Sequence, residues 1–477
     1  MSAPLWTLDA FLAATRGEAR GAPQAEITGI SIDSRTIMPG EAFVAIVGDR
    51  LDGHDYVARA LEAGASLALV ARHKLIDLPE DGRYVVVDDP LEALRDLGRA
   101  ARARTSARIV AVTGSVGKTG TKEALRLALG RSGKVHASAA SFNNHWGVPL
   151  TLARMPEDTE FGVFEIGMNH AGEITPLVQM VRPHAAIITT VQAVHLEFFG
   201  SVEKIAQAKA EIFLGLEPGG LAILNRDNDQ FDLLTFLAKT AGVERIQTFG
   251  EAEGCDAFLE DYAVQTGSSS IQAQVLGHEI TYKIGAPGKH LVRNSLAVLL
   301  AVCELGADLA LAGLALADLS APKGRGAQTR LKLPGGGEAV LVDESYNANP
   351  ASMRAALSVL AGMQPAAPGR KIVVLGDMLE LGTASEQLHA DLLGPVEESG
   401  ADLVYCAGPL MHALWNRLPR EKRAVYAEQS SALTERLKDE LRAGDIIMIK
   451  GSLGSRMGPL VEALKQEYPA ADEMASA

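Results

Sequence analysis

The chain has 477 residues, 47% of them hydrophobic, with 45 Lys and Arg against 59 Asp and Glu for a formal charge of -14. That length is well past the point at which one hydrophobic core keeps growing, so about three domains are predicted, and a chain of this size is expected to fold alone as a monomer. The acidic balance excludes a nonspecific nucleic-acid binder and an anionic-membrane binder, and an anionic substrate must therefore be held by local positive features.

At the N-terminus, Asp9 falls where a signal peptide would continue its apolar run, and the basic start is missing, so a cytoplasmic location is expected. Three widely spaced cysteines, Cys255, Cys303 and Cys406, fit a reducing compartment without a disulfide framework or zinc cluster. Residues 1–89 read as a small α/β module with strands in EAFVAIVGD, SLALVA and YVVVDD. From Ile109 strands alternate with helices, as in IVAVTG, TKEALRLALG, FGVFEIG, AAIITTV and LAILN, which predicts a parallel sheet covered on both faces over 90–322. The apolar run from Leu299 to Leu319 carries Glu304, Asp308 and Asp318 and is read as buried helix; insertion into a membrane is not expected. A turn-rich patch from Pro322 to Gly326 predicts a linker. Beyond it, AVLVDE, KIVVLGD, ADLVYCAG, RAVYA and DIIMIKG predict a second doubly wound, Rossmann-like sheet over 323–477, with a frayed tail after Tyr468. The fold class is α/β in three domains.

The strongest chemical signal is Thr113-Gly114-Ser115-Val116-Gly117-Lys118-Thr119-Gly120, set between a strand and a helix. Glycines let backbone N–H groups approach an anion, the helix N-terminus adds its dipole, Lys118 adds a point charge, and Thr119 offers a hydroxyl to magnesium. The strict phosphate-loop pattern would begin with glycine where Val112 stands, so a plain glycine turn before a helix is the competing reading. Glu165 ends the strand FGVFEIG, where parallel sheets gather ligands, and reads as a metal carboxylate or an ordinary strand end. His195 follows the next strand in QAVHLEFFG and reads as a ligand or a structural histidine. In SVEKIAQAKAEIFLGL, Lys209 falls within the apolar stripe of Val202, Ile205, Ala206, Ile212, Phe213 and Leu216. Either it reaches out to the helix edge, or burial lowers its pKa until the neutral amine takes up CO2 as a carbamate, an oxygen ligand for magnesium.

Along nearly its whole length the chain resembles the Mur ligase family. DSRTIMPGEAFVAIVGDRLDGHDYVARALEAGA is similar to the family's UDP-binding module, TGSVGKTGTKE to its ATP loop, and EIGMNHAGEI and HLEFFGS to its metal-site segments. Within the family, SFNNHWGVPLTL, DESYNANPASM and LGDMLELG resemble the member that adds D-alanyl-D-alanine, and the Asp-Asn-Pro-Arg type motif of the diamino-acid-adding member is absent. The resemblance implies ATP-dependent ligation of that dipeptide to UDP-N-acetylmuramoyl-tripeptide through an acyl phosphate, in cell-wall precursor synthesis. It implies ATP with Mg2+, two ions expected, and a carbamylated Lys209. Thr119 and Glu165 would hold one ion, His195 and Lys209 the second. Gly114 to Gly120 and Asn294 would bind ATP, Ser34 and Arg35 would lie against the uridine nucleotide, and Asn143 and Asn144 would meet the muramoyl peptide. Asp343 would reach the ribose or a nearby loop, and either Arg325 or Arg330 enters the last domain toward the nucleotide. Asn347, Asp377 and Lys450 are candidates for the dipeptide or for domain closure, with a fold-stabilising role as the alternative for the last two. The last domain is expected to stand swung away, with Asp343 far from the phosphate loop. His290-Leu291 stands where the family usually has His-Asn. The rival readings are another ligase of the same architecture, such as a Mur ligase that adds a diamino acid or a folylpolyglutamate-type enzyme, and a phosphate-loop ATPase switch without ligation.

Overall fold

A computed structural model describes residues 4–48, 51–139, 141–194, 196–265 and 267–470. Its strands form three principal sheets, because runs such as Ile109–Val112 and Ile446–Ile449 are apolar on both faces and must be covered on both. The first sheet runs Glu18–Arg20, Tyr84–Val87, Leu67–Ala71, Glu41–Val44, Gly29–Ser31, all neighbours parallel except the first pair. Helix Pro90–Arg104, begun by Asp89 as its N-cap, lays Leu94, Leu97 and Ala101 on this sheet. Leu150 and Ala153 of helix Gly147–Ala153 join the same core, and the Trp6 indole N–H donates to the Ala153 carbonyl at 2.9 Å. The N-terminal module is thereby fastened to the next.

The central sheet has nine strands. Strand Arg108–Thr113 lies between Phe161–Glu165 and Ala185–Ile188, both parallel to it. The chain thus leaves this strand toward one side and returns on the other, and the crevice at such a switch point opens beyond the carboxyl ends of the strands. Expected strands in LAILN and its neighbours are present as Leu221–Asn225, Ala185–Ile188 and Phe161–Glu165. A meander, Ala257–Gln265, Ser268–Val275 and His278–Ile284, extends the far edge antiparallel and was not among the expected elements. The apolar run 299–319 is two helices, the end of Lys289–Glu304 and Leu309–Ala315, the second capped by Asp308. Among the described residues no helix is long and apolar enough to cross a membrane.

The last sheet runs Ala327–Lys332, Glu338–Glu344, Ile446–Lys450, Lys371–Gly376, Leu403–Ala407, Arg423–Ala427, parallel after the first pair. Every strand expected there is found. Helix Pro350–Gly362 starts with Asn349 and Ser352 in a reciprocal capping box and Pro350 in its first turn. Residues 471–477, most of the expected frayed tail, lie outside the described residues.

Candidate active site

The glycine-rich loop sits between strand Arg108–Thr113 and helix Lys118–Gly130, as its sequence requires. Gly117 has φ +90, and a Cβ there would fall 2.3 Å from the Asn294 side-chain nitrogen, so only glycine fits. The Ser115 N–H is already donated to the Thr190 carbonyl at 2.8 Å. The Ser115 N–H is thus not available to an anion, whereas the leading N–H groups of the following helix have no intrahelical partner. Lys118 donates to the Gly114 carbonyl at 2.7 Å, which folds its side chain back over the loop. Desolvation pushes the Lys118 ammonium below the usual lysine range; Glu165 pulls it back up and Arg325 adds to the lowering.

Glu165, 1% exposed, binds two partners. Thr119 donates its hydroxyl to one carboxylate oxygen at 2.9 Å, and the Asn143 amide donates to the other at 2.7 Å. Asn144 turns away and accepts the Gly147 N–H at 2.9 Å, starting helix Gly147–Ala153. Thr189, at the end of the neighbouring strand, donates to the Val116 carbonyl at 2.7 Å and braces the loop. Its position in AAIITTV gave no signal beyond being a strand end.

Lys209 lies on helix Val202–Ala210 at 2% exposure. Burial, and then the charge of Lys118, push its amine well below the usual lysine range. Among the described residues it has no hydrogen-bond or ion-pair partner, so it does not reach out to the helix edge. His195 lies outside the described residues. Among the described residues no cluster of three or more His, Cys, Asp and Glu side chains is arranged as a metal site. Thr119 and Glu165 together offer oxygen donors of the kind magnesium accepts beside phosphate oxygens and water, and burial of Lys209 favours the uncharged amine that carbamate formation needs.

Facing the loop across a cavity of about 280 Å³ are Glu344, Tyr346, Asn347 and Lys450 of the last domain. Lys450, 2% exposed, donates to Glu344 at 2.9 Å and to the Asn347 carbonyl at 3.0 Å. Arg325 lines the same cavity, donates to the Ser141 hydroxyl at 3.3 Å and stacks over the Tyr346 ring at 4.4 Å. Arg330 is exposed on strand Ala327–Lys332 and pairs with Glu338 at 3.8 Å, away from this cavity. The last domain is therefore docked, in contrast to the swung-away arrangement expected from sequence. Arg325 to Ser141 and the close approach of Gly382 to Glu197 are among the contacts that hold it there.

Four expected residues are turned elsewhere or stand behind the wall. Asn294 packs against Gly117, while His290 and Leu291 of its helix line the cavity. Burial keeps His290 below the usual histidine range. Asp343, 1% exposed, accepts the Gly324 N–H at 3.0 Å and the Ser345 hydroxyl at 2.6 Å, so it secures the linker. Asp377 accepts the Met411 N–H at 2.9 Å and shapes its own sheet edge; burial holds its carboxyl above the usual range. Thr119 reaches Glu165 from beneath the loop. Glu344 and Tyr346 were overlooked in sequence, although DESYNANP contains both.

Ser34 and Arg35 border a separate cavity of about 560 Å³ in the N-terminal module, closed on one side by Phe142, His145 and Trp146. Asp33 holds the exposed Arg35 guanidinium at 2.7 Å. Between this cavity and the phosphate loop runs a groove of about 590 Å³ that shares His145 with the first and Asn143 with the second.

Three family models match in succession: the Mur ligase family catalytic domain over 26–108, the Mur ligase middle domain over 112–302, and the Mur ligase glutamate ligase domain over 329–453. The UDP-N-acetylmuramoyl-tripeptide–D-alanyl-D-alanine ligase of Escherichia coli is 35% identical, over 96% of this chain and 98% of its own length. The solved UDP-N-acetylmuramoylalanyl-D-glutamyl-2,6-diaminopimelate–D-alanyl-D-alanyl ligase of Acinetobacter baumannii is 31% identical with a TM-score of 0.80, covering 97% and 98% of the two chains. A MurF ligase of Thermotoga maritima in complex with ADP is 27% identical with a TM-score of 0.75, covering 92% and 97%. With three successive domain models matched and a relative 35% identical along nearly the whole of both chains, the chain belongs to the Mur ligase family.

Proposed function

We propose that this chain uses ATP to join D-alanyl-D-alanine to a UDP-N-acetylmuramoyl-tripeptide, a ligation of peptidoglycan precursor synthesis. One observation carries the reading: the cavity at Lys118 and the groove share Asn143 in their walls, and the groove and the cavity at Ser34 and Arg35 share His145, so the three adjoin in a row. A long substrate anchored by its nucleotide in the N-terminal module can bring its far carboxylate to the phosphate loop. The relatives named for this reaction, one of them with ADP bound, support the assignment.

The reaction joins two anions and then exposes a reactive acyl phosphate, so it needs charge neutralisation, alignment and exclusion of water. A terminal carboxylate oxygen of the tripeptide takes the γ-phosphoryl group and ADP leaves. The dipeptide amine then attacks the acyl carbon, phosphate leaves with its oxygen, and the amine proton passes to solvent. Lys118 and the first-turn N–H groups of its helix hold the transferring phosphoryl group. Asn143, fixed by Glu165, aligns the carboxylate, and Lys450 offers a second cation from the opposite wall. Arg325, stacked on Tyr346, covers the nucleotide, and His290 stays neutral beside it.

Thr119 and Glu165 would hold one magnesium ion, and carbamylated Lys209 with His195 a second. Bound magnesium would neutralise phosphate charge and draw electrons from the γ-phosphorus. We further infer a cytoplasmic monomer acting on small molecules and not on nucleic acid, a reading supported by the charge of -14.

The test is ADP release and product mass with the tripeptide nucleotide and either D-alanyl-D-alanine, free diaminopimelate or no amine. Product with the dipeptide alone supports the reading. ADP release that ignores the amine would leave a nucleotide site with no ligation.

A further inference from the structure

The groove between the two substrate cavities has a chemistry of its own. Its wall on helix Pro90–Arg104 presents Arg95 and Arg99, four residues apart and so on one helix face. Glu92 of the same helix also lines the groove, as does Glu173, which accepts the Asn169 N–H at 2.7 Å and contacts the His170 ring at 3.1 Å. Arg95 pairs with Glu92, and Arg99 pairs with Asp96 at 2.6 Å. Each of these pairs uses one guanidinium nitrogen, and a guanidinium carries five N–H donors, so both retain donors for a further carboxylate.

The role of this groove follows from the proposed ligation. If the reacting carboxylate sits at Asn143 against Lys118, the side chain of the third peptide residue branches one carbon away. The nucleotide fills the cavity on one side of Asn143, which leaves the groove on the other. We propose that this groove is the subsite for the side chain of the third residue, and that Arg95 and Arg99 select a side chain ending in a carboxylate as well as an ammonium. Arg95 and Arg99 take the carboxylate and Glu173 faces the ammonium. A third residue of the diaminopimelate type satisfies the arginines and Glu173 together. A lysine leaves the two arginines without their anion.

The experiment compares two tripeptide nucleotides that differ only in the third residue, meso-diaminopimelate or lysine, at fixed ATP and D-alanyl-D-alanine. It uses the full chain, its single variants Arg95→Gln and Arg99→Gln, and the double variant. The unaltered chain is expected to favour the diaminopimelate substrate about a hundredfold in kcat/KM, and the double variant to bring the ratio within about threefold of one while leaving the lysine arm unchanged. A ratio near one in the unaltered chain overturns the proposal, whatever the variants do. So does an equal loss on both substrates, or a preference that survives both substitutions. Failure to ligate either tripeptide would instead defeat the proposed function on which the subsite depends.

Discussion

Thr119 donates its hydroxyl to Glu165 across 2.9 Å, joining the first turn of the phosphate-loop helix to the end of the neighbouring strand. This bond orients a carboxylate that, among the described residues, also accepts the Asn143 amide and is nearly out of reach of solvent. If the pair is a magnesium site, Thr119→Val should lower kcat about a hundredfold and raise the magnesium concentration needed for half-activity. Thr119→Ser should stay within about threefold, since it keeps the oxygen. Equal losses in the two variants, read in a magnesium titration, would mean that shape and not the hydroxyl matters.

Lys209 gives a prediction with a definite sign in pH. Its amine titrates lower in the folded chain than in the unfolded chain, so the unfolded chain holds the extra proton and stability climbs as pH rises toward the ordinary lysine range. In CO2-depleted buffer, Lys209→Met should raise Tm at pH 7 and raise it less near pH 10. The same variant should lack ligase activity. Lys209→Ala should recover part of its activity with a short carboxylic acid in the buffer, and absence of any recovery would argue against the carbamate.

The two arginines left open by sequence are separated by their surroundings. Arg325 bridges Ser141 and Tyr346 at the cavity, whereas Arg330 is an exposed partner of Glu338. Arg325→Ala should raise KM for ATP by about tenfold or more, and Arg330→Ala should leave it within about twofold, as exposed ion pairs contribute little. A larger effect from Arg330 in steady-state kinetics would reverse the assignment.

Asp377 should prove structural. Its carboxyl is held above the usual range by burial, opposed by the Met411 and Leu410 N–H groups. A raised folded value means that stability is fullest below the unfolded pKa and falls as pH rises through the folded one. Asp377→Asn keeps an acceptor for Met411 and removes that dependence. Its Tm should exceed that of the parent at pH 7, the difference shrinking below about pH 4, with kcat/KM changed by no more than about threefold. Loss of activity without a change in Tm would return Asp377 to the substrate site.

Most strands were legible because those buried on both faces, such as Ala185–Ile188, are continuous apolar runs. The meander from Ala257 to Ile284 was missed because its outer face is solvated: Glu260, Asp261, Gln272 and Glu279 break the apolar signal. The phosphate loop was legible because its chemistry is local, eight consecutive residues between one strand and one helix. Residues at the edge of the last sheet were harder. Asp343, Asp377 and Lys450 all stand at strand ends, but only the fold shows that Asp343 turns to Gly324, Asp377 to Met411, and Lys450 into the cavity. Domain docking was invisible for a similar reason, because Ser141 and Arg325 are 184 positions apart and meet only after both domains have formed.

Asn143 borders both the cavity at the phosphate loop and the adjoining groove, the proposed sites of the nucleotide and the peptide. A residue common to two binding sites makes their affinities conditional on each other. Whatever factor a bound nucleotide applies to the dissociation constant of the muramoyl peptide, the peptide must apply to that of the nucleotide, because the thermodynamic cycle closes. An inhibitor that touches Asn143 from either side would therefore shift the apparent strength of the ligand on the other. Its potency would depend on how full the neighbouring site already is.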